Sequence, residues 1–484
     1  MYIGIDLGTT GVKLLLLSTK GEVVKTVSKG YELLIPEPLW TEQDPNTWYE
    51  QTQIGLTEIC KGYEKDIKAI SFSGQMHGMV LLDEFDEVIR PAILWNDQRT
   101  TKEVDYLNDV IGIEKLQYEI GNIALTGLTA PKVLWVFNNE PANFKRISKV
   151  MLPKDYLAYK LSGVFATDVS DVSGTLYYDV KNKKYSQYML NLLHINESQL
   201  PKVFESYEKI GELKKEISQK MGLLNQVDII IGGGDQAVGA VGVGIVNEGK
   251  CNISLGTSGV VFTAMDYFAV DKITHLQSYA GANGKYHMMG VMLNAAGALK
   301  WWNEGIFKQY NYNDVFKKLI NTPIEDDLYF LPYLSGERSP INDSNAKGLY
   351  IGLRLEHKKE HLDRAVVEGI SFNLKRIFEN IKDKGANVDS VRVTGGGAKS
   401  TIWPQMLSEI LNTKIETIQV EEGPALGAAI LSMVGSGLYE TVEAACNDLI
   451  KVKKVYMPDI DNVKKYEKKF KAYEKIYPVV KTLF

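Results

Sequence analysis

"IIIGGGDQAVGAVGVGIV", from Ile229 to Val246, sets a single aspartate inside a run of uncharged, mostly small residues. Its three isoleucines read as the end of a buried strand, and the Ala, Val and Gly series after Asp235 reads as a tightly packed helix. Asp235 therefore falls at a strand-to-helix junction. In open α/β folds ligands bind at such junctions, outside the carboxyl ends of the strands. A carboxylate in that place can cap the free N–H groups of the helix, or it can carry proton chemistry. On this stretch alone both readings stand.

The chain around it has 484 residues, more than one hydrophobic core supports, so two or three domains are expected. With 45% hydrophobic and 24% charged residues, the composition suits a globular enzyme rather than a disordered or fibrous chain. The formal net charge is −5 and no Lys/Arg cluster alternates with aromatics, which argues against a nucleic-acid partner. The lysine-rich "KKVYMPDIDNVKKYEKKFKAYEKIY" near the C-terminus mixes acids with spaced Tyr and Phe, and reads as the solvated face of a surface helix. "MYIGIDLGTTG" lacks a basic leader and places Asp6 where an export signal needs apolar residues. No apolar run reaches the roughly 18 residues needed to cross a bilayer, so no membrane partner is expected. Cys60, Cys251 and Cys446 lie far apart without metal-ligand spacing, which points to a reduced, cytoplasmic protein. His357 and His361 have the i, i+4 spacing of a zinc site but sit among charges in "EHKKEHLDR", with no third ligand evident.

The chain also echoes itself. "DLGTTGV" (Asp6 to Val12) recurs as "SLGTSGV" (Ser254 to Val260), about half the chain further on. Each copy follows a short strand-like run and precedes apolar residues, so each reads as a β-hairpin with a Gly/Thr turn at its tip. Two such tips facing one cleft, with the hydroxyls of Thr9, Thr10, Thr257 and Ser258 beside free backbone N–H groups, can surround a phosphate. A third glycine turn, in "VRVTGGGAKSTIWPQMLSEIL" (Val391 to Leu411), again follows a strand and opens a helix; Gly395, Gly396 and Gly397 let the backbone lie flat against a nucleotide. It is no Walker A motif, since Ala398 replaces the glycine required before the lysine, and no strand is followed by G-x-G-x-x-G.

These turns, the Asp235 junction between them and the late "TGGGAKS" resemble the actin-like ATPase superfamily, and in order they resemble the FGGY carbohydrate kinases. "SGQMHGMVLLD" (Ser73 to Asp83), "RPAILWNDQR" (Arg90 to Arg99), "GGGDQAVGAVGVG" (Gly232 to Gly244) and "LPYLSGERSPIND" (Leu331 to Asp343) are similar to signatures of the branch that phosphorylates xylulose. The resemblance implies an α/β fold of two ribonuclease-H-like domains flanking a deep catalytic cleft. Residues 1–246 would carry the first phosphate turn, the sugar pocket and the catalytic Asp; residues 247–484 would carry the second phosphate turn and the adenosine-binding turn. It implies ATP and Mg²⁺ as cofactors, Asp235 as catalytic base, and a sugar pocket of Met76, His77, Trp95, Asp97, Arg99, Asp235 and Gln236. The phosphates would meet Thr9, Thr10, Lys13, Gly256, Thr257, Ser258, Gly395, Gly396, Gly397 and Lys399, with Asp6 and Asp235 organising the metal. The partners are then a small-molecule sugar and ATP, with a homodimer left open. One departure stands out: that branch usually carries Asn after the catalytic Asp, where this chain has Gln236.

Phosphoryl transfer asks the protein chiefly for alignment and charge neutralisation, with a base near the attacking hydroxyl. A helix N-terminus behind Asp235 is expected to keep it ionised for that role. Asp97 and Arg99 read either as a surface ion pair or as groups binding sugar hydroxyls. The expected reaction is conversion of D-xylulose to D-xylulose 5-phosphate, with D-ribulose, L-ribulose, erythritol and gluconate as alternative acceptors. A different class, an actin-like chaperone or switch without a sugar acceptor, is disfavoured by "GQMHG" and the Asp235 junction.

Overall fold

The computed structural model describes residues 1–274, 276–420 and 422–484, and arranges them around two mixed β-sheets. The first holds β1 (Tyr2–Leu7), β2 (Gly11–Leu17), β3 (Val23–Gly30), β4 (Ala69–Gly74), β5 (Lys209–Glu212) and β6 (Asp228–Gly234), in the order β5-β6-β4-β1-β2-β3. The second holds β7 (Gly249–Leu255), β8 (Gly259–Met265), β9 (Gln277–Ala280), β10 (Tyr286–Met292), β11 (Val388–Thr394), β12 (Lys414–Ile418) and β13 (Val452–Tyr456), in the order β9-β10-β8-β7-β11-β12-β13. In each sheet an antiparallel meander (β1-β2-β3; β7-β8-β10) leads into two parallel strands (β4 and β6; β11 and β12). The echo in sequence is thus a repeat in topology, and both copies form hairpins, with Leu7 opposite Val12 and Leu255 opposite Gly259.

Helices cover both faces, which explains why β1 and β4 are buried nearly throughout without alternation. The main ones are α1 (Pro45–Cys60), α2 (Thr129–Asn139), α3 (Asp235–Gly242), α4 (Lys359–Asp383), α5 (Ile402–Leu411) and α6 (Gly423–Gly435). Trp48, Leu56 and Ile59 of α1 close the core on one face of the first sheet, while Ile370, Leu374 and Phe378 of α4 and Leu407 of α5 fill that of the second. The lysine-rich C-terminal stretch does form a surface helix, Ile460–Tyr473, whose Val463, Tyr466, Phe470 and Tyr473 turn inward.

Helix α6 crosses between the halves. It comes late in the chain, after most of the second sheet, yet packs against β1, β4, β6 and α3 of the first. The approach is backbone to backbone: a Cβ on Gly4 would overlap the Ala425 carbonyl and lie 2.6 Å from the Ala429 nitrogen, and one on Gly427 would overlap the Val238 carbonyl and lie 2.9 Å from the Gly242 nitrogen. Overpacking of this kind costs about 1–3 kcal/mol. Gly427→Ala is therefore expected to lower the midpoint of thermal unfolding, while Gly396→Ala, where a Cβ meets nothing within 4 Å, leaves it in place. Equal midpoints for the two variants would refute the tight crossing.

Candidate active site

Strand β6 ends at Gly234 and α3 begins at Asp235, so the carboxylate stands at the strand-to-helix junction read from the sequence. It opens into a cavity of about 420 Å³ between the two sheets. Asp235 and Gln236 line one side; Asn252 and Ser254 of β7, with Thr394 at the end of β11 and Gly395, Gly396 and Lys399 after it, line the other. A second cavity of about 520 Å³ adjoins it, shares Gly396 and Lys399, and is walled by Gly256, Thr257, Gly397, Phe316 and Trp403. The polar compartment suits a hydroxylated or anionic group, and the more apolar one suits a flat base. Gly395, at φ 83°, has no room for a side chain, since a Cβ would lie 2.9 Å from the Leu255 carbonyl carbon. The third glycine turn therefore lies flat on the end of β7, beside the second hairpin tip.

The electrostatics correct one expectation. Asp235 is not held ionised by its helix: burial above all, and then the charge of Asp6, push its pKa up to about 7, against hydrogen bonds from Gln236. The Gln236 amide donates to Asp235 Oδ1 over 3.3 Å. Asp6 is itself raised by burial, opposed by the Ser73 hydroxyl at 2.9 Å and by Lys13. Two neighbouring, half-buried carboxylates, one of which raises the other, are hard oxygen donors whose repulsion a divalent cation relieves. The described residues contain no cluster of three or more His, Cys, Asp or Glu side chains able to hold an ion, so phosphate and water oxygens would have to complete its shell. His357 and His361 make no such site: each ring Nδ1 accepts a backbone N–H, from Arg354 and Lys358, both over 3.0 Å.

The residues expected to meet sugar separate into two groups. Met76 is buried against the Asp235 junction, where a Cβ on Gly234 would lie 2.9 Å from its Cγ. His77 faces Tyr279 across the lobes with ring centroids 6.3 Å apart; burial first, then the charge of Lys132, push its pKa down to about 3, so the imidazole is neutral. Trp95, 44% exposed, sits over the first phosphate turn, its indole N–H donating to Thr9 Oγ1 over 3.0 Å. Asp97 and Arg99 are neither a surface pair nor open to a ligand. They form a fully enclosed bidentate pair (2.8 and 2.9 Å), with the guanidinium 4.0 Å from the Trp40 ring centre and Asp97 also accepting the Thr41 N–H over 2.6 Å. This pair braces the loop that carries Trp95.

At the hairpin tips and the third glycine turn, Thr10, Thr257, Ser258 and Lys399 are exposed, while Lys13 is engaged in an ion pair with Glu422, the residue preceding α6. A phosphate would have to draw Lys13 away from that partner. Sequence reasoning passed over Ser254 and Asn252, although the echo held the clue, because Ser254 occupies in its hairpin the place Asp6 occupies in the first. It also left open Glu337 and Arg338. The Glu337 carboxylate accepts the backbone N–H groups of Leu293 and Arg338, both over 2.8 Å, and pins their loop; burial raises its pKa to about 8.

With that geometry in hand, likeness to known proteins is informative. The N-terminal domain of the FGGY family of carbohydrate kinases matches residues 1–242, and its C-terminal domain matches residues 251–436. The chain is 37% identical to the xylulose kinase of Bacillus subtilis, over 99% of this chain and 97% of that one. A xyloylose kinase from Brucella ovis superposes with a TM-score of 0.95 at 34% identity, covering 100% of both chains. A gluconate kinase from Lactobacillus acidophilus superposes with a TM-score of 0.93 at 29% identity, over 99% of this chain and 97% of the other. Matched in both halves and along its length, the chain belongs to the FGGY family of carbohydrate kinases and is a sugar kinase of two actin-like, ribonuclease-H-like domains.

Proposed function

We propose that the acceptor is D-xylulose, that ATP is the phosphoryl donor, and that Asp235 is the general base. The observation that carries this reading is the place of Asp235: it heads α3 inside the cavity, with the Met76 loop on one side and Ser254 and the glycine turn on the other. The sugar's terminal hydroxyl attacks the γ-phosphorus, its proton passes to Asp235, the β–γ bridging bond breaks and ADP leaves. Asp235 aligns the hydroxyl, and the hairpin tips with Lys399 meet the phosphates. A hydrated Mg²⁺ held beside Asp6 would supply charge neutralisation on the phosphates. Residues 1–246 and 247–484 act as the two domains that close on the substrates. The buried thiols Cys60, Cys251 and Cys446, none of them in a disulfide, suit a cytoplasmic site of action.

Gln236 supports a second reading. It reaches one methylene further than the Asn usual in the xylulose branch, and a gluconate kinase is among the similar structures. A methylene changes discrimination by about 1–3 kcal/mol, roughly 10- to 200-fold, enough to reorder acceptors but not to change the reaction. An ADP-release panel of D-xylulose, D-ribulose, L-ribulose, erythritol and gluconate decides the acceptor, and Gln236→Asn is expected to shift preference towards D-xylulose. Stimulation by gluconate alone would overturn the ketopentose reading. Asp235→Asn is expected to lower kcat by about 10²- to 10⁴-fold with ATP affinity, read by nucleotide titration, unchanged; near-wild-type kcat would remove Asp235 as base.

The raised pKa has a stability consequence with a definite sign. The native state holds the Asp235 proton up to a pH of about 7, whereas an unfolded Asp loses it near its ordinary value of 3.8. Stability contributed by the protonated form is therefore present at low pH and lost as pH rises towards 7. In metal-free, nucleotide-free protein, Asp235→Asn is expected to melt higher than wild type at pH 8 and at about the same temperature at pH 4. A lower melting temperature at pH 8 would contradict the raised pKa.

A further inference from the structure

His77 has a backbone conformation, φ 66°, that few non-glycine residues adopt and that costs strain unless the surroundings hold it. Two buried side chains of α2 hold it. Lys132 Nζ donates to the His77 carbonyl over 2.7 Å, and Thr129 Oγ1 donates to the same oxygen over 3.1 Å. The ring is fixed separately: its Nδ1 lies 3.0 Å from the Gly174 carbonyl, which requires the Nδ1–H tautomer and leaves Nε2 as an acceptor. The grip of Lys132 extends further, since Nζ also donates to the Gly127 carbonyl over 2.6 Å. Gly127, at φ 85°, lies against the Trp95 backbone so closely that a Cβ would be 2.9 Å from its carbonyl carbon. One buried lysine nitrogen thus joins the loop of His77 to the loop of Trp95, which in turn touches Thr9 of the first hairpin tip.

Burial of an ammonium is expensive, and where stability alone is served a core position of this kind takes Leu or Met. Lys132 is fully buried, both of its hydrogen bonds go to backbone carbonyls, and no carboxylate forms an ion pair with it among the described residues. We propose that Lys132 and Thr129 are positioning residues for the sugar acceptor: they touch no substrate, and by holding the His77 carbonyl they aim the imidazole and the Trp95 loop at it. The inference rests on the reading that His77 lines the acceptor site.

Initial rates with varied D-xylulose and varied ATP test it in wild type, Lys132→Met, Thr129→Val and Thr129→Ser, with thermal melts of each. Lys132→Met keeps the length of the side chain and removes its donors, and is expected to raise KM for D-xylulose by about tenfold or more while KM for ATP stays within about twofold. Thr129→Val is expected to raise the sugar KM by about 3- to 10-fold, and Thr129→Ser, which restores the hydroxyl, to return it to the wild-type value. Should Lys132→Met not fold, the Thr129 pair decides by the same criterion. An unchanged sugar KM in the folded variants, or a parallel rise in both KM values, overturns the positioning role while leaving the proposed function intact. Absence of any D-xylulose-stimulated ADP release by wild type overturns the acceptor reading, and this inference with it.

Discussion

Everything in the cleft depends on the crossing of α3 and α6. Asp235 is the first residue of α3, and α6 is carried by the opposite half of the chain, so their separation sets how far the carboxylate stands from Asn252, Ser254 and Thr394. The crossing is tight, because Gly242 and Gly427 bring main chain against main chain, and Ala237, Val238, Val241, Ala425, Leu426, Ala428 and Ala429 share the core around it. Small residues leave little room for slack.

Beside this crossing the chain concentrates costly buried polarity behind the Asp235 junction and the His77 loop. Behind the Asp235 junction, Lys154 is enclosed with Asp155, Asp168 at 2.8 Å and Asp171 at 3.8 Å. Asp168 accepts the hydroxyls of Ser170 and Ser206 over 2.5 and 2.6 Å, and the Ser170 hydroxyl accepts the Gly234 N–H over 3.2 Å. A buried ion cluster is weak evidence for stability but strong evidence for a specified geometry when its hydrogen bonds are directional. Here the chain of bonds ends on the residue immediately before Asp235. Lys132 holds the His77 carbonyl in the same way, so both loops are pinned through main-chain atoms.

The duplication explains the division of labour between the lobes. Both hairpins keep the Gly/Thr tip, whose value is backbone N–H groups and hydroxyls, yet the residue at the strand end differs: Asp6 in the first, Ser254 in the second. The acidic pair Asp6 and Asp235 therefore lies on one side of the cleft, and the opposite wall is neutral apart from Lys399.

Much of this was legible without coordinates. The Asp235 junction, the two hairpins and the flat glycine turn all follow from local chemistry: a strand-like apolar run, a residue able to turn, a run able to form a helix. Local signals of that kind survive in a linear sequence because their interacting atoms are a few residues apart. What the sequence left undecided involves partners far apart in the chain. Asp97 and Arg99 are enclosed only because Trp40 and Trp135 close over them, Lys13 meets Glu422 from the far end, and α6 lies on the sheet of the other half. The pKa of Asp235 belongs to the same class: a helix N-terminus seen in sequence predicts an ionised carboxylate, and only the tertiary structure adds the burial and the neighbouring Asp6 that outweigh it. Desolvation and charge proximity depend on what packs around a group in three dimensions, and that information is not local to any stretch of the chain.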